Sequence, residues 1–83
     1  MIRLLYFASL RERLGCDAEE LPLPQPATVQ GLIDQLAARG GVWAEALQGA
    51  TPVLAAVNQD MARPEQPLNE GDEVALFPPV TGG

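Results

Sequence analysis

The sequence contains no histidine and a single cysteine, Cys16, among its 83 residues. Without histidine, the chain lacks the side chain that most often acts as a general base or binds a metal ion near neutral pH. One cysteine can form neither an internal disulfide nor a cysteine-rich zinc site, so Cys16 is interpreted as an incidental small residue. We therefore expect no metal or cofactor bound by this chain and no catalysis by the chain alone.

Lysine is also absent, so the five basic residues are all arginines, and they stand against 11 acidic residues for a net charge of −6. A surplus of negative charge repels phosphate backbones and anionic lipid surfaces, which predicts no nucleic-acid or membrane partner. Without lysine there is no side-chain amine for Schiff-base chemistry or isopeptide attachment. If the chain takes part in covalent chemistry, its C-terminal carboxylate is the better candidate.

Long hydrophobic runs are missing as well. No apolar run reaches membrane-spanning length, and the run over residues 2–7 lacks the basic flank and cleavage site of a signal peptide. A cytoplasmic location is therefore expected. With 47% hydrophobic residues, a chain of this length can bury one modest core, so residues 1–83 are expected to form a single domain.

The first segment, residues 2–8, is rich in residues that favour β-strands. If Arg3 faces solvent, the alternation of a strand points Ile2, Leu4 and Tyr6 inward and places Phe7 on the outer face. Ser9 is expected to cap a short helical turn that ends at Gly15. Residues 17–23 follow as a polar strand, which is ended by prolines.

The strongest helix signal begins at Thr28, a predicted N-cap. Apolar residues then recur with helical spacing and line one face of a helix that should stop at Gly40 and Gly41: Val29, Leu32, Ile33, Leu36 and Ala37. Gly31 inside this helix costs about 1 kcal/mol relative to alanine. A shorter helix is predicted over residues 42–47.

The second half predicts two more strands. Residues 53–58 form a continuous apolar run followed by a turn at residues 58–60, and Pro64 and Pro67 indicate irregular backbone. In residues 73–77 an outward Glu73 places Phe77 outside as well. The order strand, strand, helix, strand, strand predicts an α+β fold, with its sheet packed on one main helix.

After the last strand, residues 77–83 read Phe-Pro-Pro-Val-Thr-Gly-Gly. Prolines favour extended backbone, and the terminal glycines, Gly82 and Gly83, have no side chain and can pass through a narrow channel. From Pro78 onward, an extended tail would reach about 20 Å. Such a tail can bring its carboxylate into the active site of another protein.

Motifs from one end of the chain to the other form a recognisable set: Leu-Tyr-Phe-Ala at residues 5–8, Arg11, Glu12, Gly15, residues 54–59, residues 71–75 and the ending at residues 77–83. In these motifs, and over essentially its whole length, the sequence resembles the small subunit of molybdopterin synthase, the MoaD-like branch of the ubiquitin-fold sulfur carriers. The resemblance implies a ubiquitin-like β-grasp fold with a mixed sheet and a flexible Gly-Gly tail.

The resemblance also implies a function. An ATP-dependent, E1-like activating enzyme would adenylate the carboxylate of Gly83, a persulfide-derived sulfur would replace AMP, and the resulting thiocarboxylate would donate sulfur to cyclic pyranopterin monophosphate inside the large synthase subunit. Two small and two large subunits are expected in that assembly. Gly82 would thread the tail, and the residues expected to bind the partner are Phe7, Met61, Phe77, Pro78, Pro79, Val80 and Thr81.

Three alternatives remain open from the sequence. A thiamine-pathway sulfur carrier shares the fold and the terminal glycines, but it is usually shorter and lacks the Phe-Pro-Pro-Val-Thr run. A ubiquitin-like protein modifier would instead join Gly83 to a lysine of another protein. A plain interaction module with an inert tail belongs to a third class.

Overall fold

The computed structural model describes residues 1–49 and 52–79. Its elements, in chain order, are β1 (Ile2–Tyr6), α1 (Ala8–Leu14), β2 (Ala18–Leu21), α2 (Val29–Ala37), α3 (Val42–Gln48), β3 (Leu54–Val57), β4 (Asp60–Ala62) and β5 (Glu73–Phe77). The strands form one five-stranded sheet in the order β2-β1-β5-β3-β4. β1 and β5 are parallel, whereas the other neighbours are antiparallel. The predicted α+β class with a mixed sheet is confirmed.

One face of the sheet packs against α2 to form the core. In β1 the side chains of Ile2, Leu4 and Tyr6 are buried, as their predicted alternation requires. All five apolar residues of the predicted helical face are buried in the same cluster. A fully buried valine, leucine or isoleucine side chain contributes about 1.5–3 kcal/mol, so this contact defines the orientation of helix and sheet.

The start of α2 explains a glycine that the sequence pattern alone disfavours. Thr28 has extended backbone and its Oγ1 accepts a hydrogen bond from the N–H of Gly31 at 3.0 Å, which confirms the predicted cap. A Cβ atom at position 31 would lie 2.1 Å from the carbonyl oxygen of Pro26. Gly31 is therefore required by the close approach of the preceding loop, in spite of its cost to the helix.

The structure adds a fifth strand to the four that the sequence predicts. β4 pairs with β3 through a tight turn in which Asn58 and Gln59 have positive φ angles of 50° and 72°. That geometry matches the turns that join twisted antiparallel strands. β4 was missed because it has only three residues, with Met61 exposed at its centre and prolines close behind.

Several predicted boundaries differ from the structure. Ser9 is not the cap of α1: the helix begins at Ala8, directly after β1, with Phe7 as an N-cap whose side chain makes no capping bond. Gly15 does end α1 in a left-handed conformation. α2 ends at Ala37, before Gly40 and Gly41, which form the turn into α3. Strand β2 is also shorter than residues 17–23, because Pro22 has no N–H with which to extend the ladder.

Within residues 1–49 and 52–79, no helix combines the length and the apolar character needed to cross a membrane.

Candidate functional site

The face of the sheet opposite α2 carries apolar side chains that are partly or fully exposed. Strand register places Leu5 beside Ala75, Ala75 beside Ala56 and Ala56 beside Met61, in one row across β1, β5, β3 and β4. Leu54 pairs with Phe77 in the next row, and Phe7 follows β1 on the same side. We call this set the apolar face: Leu5, Phe7, Leu54, Ala56, Met61, Ala75 and Phe77.

Two members of the apolar face are strongly exposed. Phe7 is 45% exposed and Met61 is 65% exposed, whereas Phe77 is half-buried. Contiguous exposed apolar surface is costly in water and commonly indicates a place where another protein binds. The outward orientation predicted for Phe7 and Phe77 is confirmed, and the binding role of both residues stays a prediction.

Sequence reasoning left Leu54 and Ala56 out of this surface. Both are half-buried on the outer side, while their neighbours Ala55 and Val57 are buried in the core. The signal was the alternation of a half-buried strand, but all four residues are apolar, so no polar residue indicated which positions face outward. Only the register with β5, which is a long-range contact, separates the two sets.

One end of the apolar face is bordered by charge. Arg3 in β1 lies between Glu20 of β2 and Glu73 of β5 in the strand register. Arg3 and Glu20 are exposed and Glu73 is half-buried. An apolar centre with a charged border is the usual organisation of a protein–protein interface.

The strand that leads into the C-terminal tail ends at the opposite end of the apolar face. β5 ends at Phe77, and the half-buried Pro78 and Pro79 follow it. Next to this point the N–H of Phe7 donates to the carbonyl oxygen of Leu76 at 3.1 Å, so the ends of the two central strands are held together. The structure thus brings Phe7, Phe77 and the first tail residues to one place.

The remaining predicted tail residues, Val80, Thr81, Gly82 and Gly83, lie outside the described residues. Their assignments as tail and sulfur-carrying residues stay predictions.

A polar cluster on the core side fastens the edge of the sheet to the helices. The hydroxyl of Tyr6 donates to Glu19 Oε2 at 2.7 Å, and Arg39 binds both carboxylate oxygens of Glu19 at 2.9 and 3.1 Å. The Arg39 guanidinium lies 4.4 Å from the ring centre of Trp43, and the rings of Trp43 and Tyr6 pack in a T-shaped arrangement with their centres 5.7 Å apart. The cluster joins β2, β1 and the segment between α2 and α3.

The protonation states of this cluster suit a structural role. Burial, followed by the hydrogen bond to Glu19, raises the pKa of Tyr6 far above its usual range, so Tyr6 stays neutral. The hydrogen bonds from Arg39 hold the pKa of Glu19 below its ordinary value. An ionised Glu19 with both oxygens bound and a neutral Tyr6 stabilise the fold and supply no acid or base near neutral pH.

We expect Glu19→Gln to lower the free energy of unfolding by about 1–2 kcal/mol at pH 7, since it removes a charge-assisted pair but keeps the shape of the side chain. Because the folded-state pKa of Glu19 is depressed, its stabilisation is present above the unfolded value of about 4.3 and is lost as pH falls through the lower folded value. Urea unfolding of both proteins between pH 3 and pH 7 measures this difference.

The matched control is Glu12→Gln, at an exposed position of α1, which should change stability by less than about 0.5 kcal/mol throughout that range. A difference between wild type and Glu19→Gln that is as large at pH 3 as at pH 7 would contradict the proposed ionic contribution.

The fold and the apolar face together define a class of protein. A mixed sheet curved over one main helix, with parallel central strands and a tail continuing from one of them, is the ubiquitin-like β-grasp architecture. Comparison with solved structures supports this architecture. The crystal structure of SAMP1 from Haloferax volcanii matches with a TM-score of 0.74 and 27% identity, covering 99% of this chain and 98% of that one.

Comparisons of sequence define the family. The model of the ThiS family matches residues 4–83. The molybdopterin synthase sulfur carrier subunit of Escherichia coli is 49% identical over 83 residues, covering 100% of both chains. The chain therefore belongs to the ThiS family, in the branch of the molybdopterin synthase sulfur carrier subunits.

A further solved structure contains the same fold within a complex. The complex of subunits 1 and 2 of the molybdopterin-converting factor from Helicobacter pylori matches with a TM-score of 0.67 at 22% identity, covering 99% of this chain and 97% of that chain. At this identity the match supports the β-grasp fold and no finer assignment.

Proposed function

We propose that this chain carries sulfur as a thiocarboxylate on Gly83 and delivers it to cyclic pyranopterin monophosphate in a molybdopterin synthase. The observation that carries the proposal is the full-length similarity to the Escherichia coli sulfur carrier subunit. The geometry supports it, because the tail starts beside an exposed apolar face on which a partner can bind.

The chemistry explains why a bare terminal carboxylate is useful. A carboxylate is a poor electrophile until its oxygen is joined to AMP, a good leaving group, at the expense of ATP on an E1-like activating enzyme. The outer sulfur of a persulfide then attacks the carbonyl carbon and displaces AMP, and a thiol reduces the resulting acyl disulfide, which releases the thiocarboxylate and forms a disulfide with the former persulfide carrier. The resulting thiocarboxylate is an ionised, nucleophilic sulfur that can attack the pterin substrate.

The partner that receives this sulfur is the large subunit of the synthase, in an assembly of two small and two large subunits in the cytoplasm. It binds the apolar face through Phe7, Met61 and Phe77, while the tail from Pro78 to Thr81 leads Gly82 and Gly83 into its active site. Beyond Pro79 the chain has four residues, which span about 13 Å when extended. The active site must therefore lie within that distance of Pro79.

One observation favours a second function. The similarity to the small archaeal modifier protein 1 of Haloferax volcanii, at 26% identity and a TM-score of 0.73, fits a protein modifier that joins Gly83 to a lysine. The match to the ThiS family model is also compatible with a thiamine-pathway carrier. All three functions begin with adenylation of Gly83, so they differ in the product that follows.

We expect the chain, incubated with an activating enzyme, ATP, a persulfide source and a thiol reductant, to replace one oxygen by one sulfur at Gly83. Intact-mass measurement detects this species, and a variant lacking Gly83 serves as the control that should remain unmodified. A peptide-linked conjugate in place of the thiocarboxylate would support the modifier. No modification of any kind, while an established carrier reacts in parallel, would refute the proposal.

A further inference from the structure

A small pocket lies beside the root of the tail. We call it the tail-root pocket; its volume is about 140 Å³, and it opens between α1, α3 and the start of β3. Ser9 and Arg13 supply its polar side, while Ala46, Val53 and Pro78 supply apolar wall. Pro78 directly follows Phe77 of the apolar face, while the pocket itself lies on the helix side of the sheet.

Helix geometry explains why Ser9 and Arg13 meet here. Residues four positions apart lie on the same flank of a helix, so both side chains of α1 face the pocket. Leu10 is buried and contributes to the apolar wall of the pocket, Leu14 faces the core, and Arg11 lies on the other flank. Of the two arginines of α1, only Arg13 lines the pocket.

Arg13 is exposed and has no carboxylate partner among the described residues. The ion pairs found there join Arg39 to Glu19 and the N-terminus to Glu70. A guanidinium group carries five N–H donors in a planar fork that fits a carboxylate, and the Ser9 hydroxyl adds another donor. The apolar wall can take the methylene groups of an acidic side chain while Arg13 binds its charge.

We propose that the tail-root pocket receives one glutamate or aspartate side chain of the large subunit, at the point where the tail enters that protein. This inference rests on the proposed function. A protein that takes in the tail must approach Pro78, where the tail begins, and Pro78 is part of the wall of the pocket. An ion pair at Arg13 would fix the direction in which the tail leaves the domain.

The test measures binding of the full chain to the large subunit by titration at low and moderate salt. We expect Arg13→Gln to raise Kd about 5- to 10-fold and Arg13→Glu to raise it at least about 30-fold, because reversal places two carboxylates together. Salt should weaken wild-type binding more steeply than binding of Arg13→Gln. The control Arg63→Glu, an equal charge change at an exposed site that does not line the pocket, should stay within about twofold.

Three results would overturn the inference: unchanged affinity of Arg13→Glu, equal effects of Arg13→Glu and Arg63→Glu, or binding by Arg13→Gln that equals wild type. The last result would indicate an apolar occupant. Unfolding midpoints of the free variants check that each is folded. Wild-type chain that neither forms the thiocarboxylate nor binds the large subunit would refute the proposed function itself, whereas wild-type binding with insensitive Arg13 variants would refute the pocket alone.

Discussion

Deleting Gly83, adding one residue after it, or changing Gly82 to valine should lower the rate of sulfur transfer at least about a hundredfold and leave the domain folded. A shift of one residue moves the terminal carbonyl by about 3.3 Å, and a misplacement of about 1 Å can already cost that factor. A β-branched side chain at position 82 would widen a segment that is expected to enter a narrow channel. Single-turnover formation of molybdopterin, at saturating large subunit, measures the rate.

Two controls separate the reacting end from the rest of the chain. Proteolytic removal of the added residue, back to Gly83, should restore the rate. The affinity for the large subunit should change far less than the rate, because the apolar face is intact in every variant. Normal turnover by the extended chain, with the added residue confirmed by mass, would show that the terminus is not the donor.

The fold could be predicted from the sequence where short-range patterns are strong. The alternation around Arg3 gave the buried set Ile2, Leu4 and Tyr6, and the helical spacing after Thr28 gave the buried face of α2. Both patterns depend only on the period of the local backbone, so neighbouring residues carry the whole signal. The resemblance to the sulfur carriers then supplied the arrangement of the strands, which local patterns do not contain.

Features that depend on distant contacts could not be predicted in this way. Gly31 is explained only by the carbonyl of Pro26, and β4 is recognised only by its pairing with β3. Glu19 bonds to Tyr6, which is 13 positions away in sequence, and to Arg39, which is 20 positions away. None of these partners is indicated by periodicity, because each pairing is decided by the packing of separate elements.

In the candidate site, too, short-range patterns predicted some residues, and residues that depend on distant contacts were missed. The parity of β1 and β5 predicted that Phe7 and Phe77 face outward, and the family resemblance selected Met61. Leu54 and Ala56 were missed because their strand is apolar on both faces. The tail-root pocket was missed because Arg13 and Pro78 belong to separate elements that meet only in the folded chain.

Phe7→Glu should weaken binding of the large subunit about a hundredfold, which corresponds to about 3 kcal/mol, and should barely change the stability of the free chain. Phe7 is already 45% exposed, so the fold loses little stability when its ring is replaced. In the complex of the variant, the interface that buries the ring in wild type would have to bury the charge of the glutamate instead. Phe77→Glu should give a similar loss of binding with a larger loss of stability, because Phe77 is half-buried.

Binding titrations combined with thermal unfolding of the free variants distinguish an interface residue from a core residue. The matched control is Val42→Glu, since Val42 is also an exposed hydrophobic residue, at 39%, but it begins α3 and lies off the apolar face. That variant should bind like wild type. If Phe7→Glu unfolds the free chain while its folded fraction keeps full affinity, Phe7 belongs to the core and the apolar face is not the docking surface. If Val42→Glu weakens binding as much as Phe7→Glu does, the added negative charge, and not the place of the ring, explains the loss.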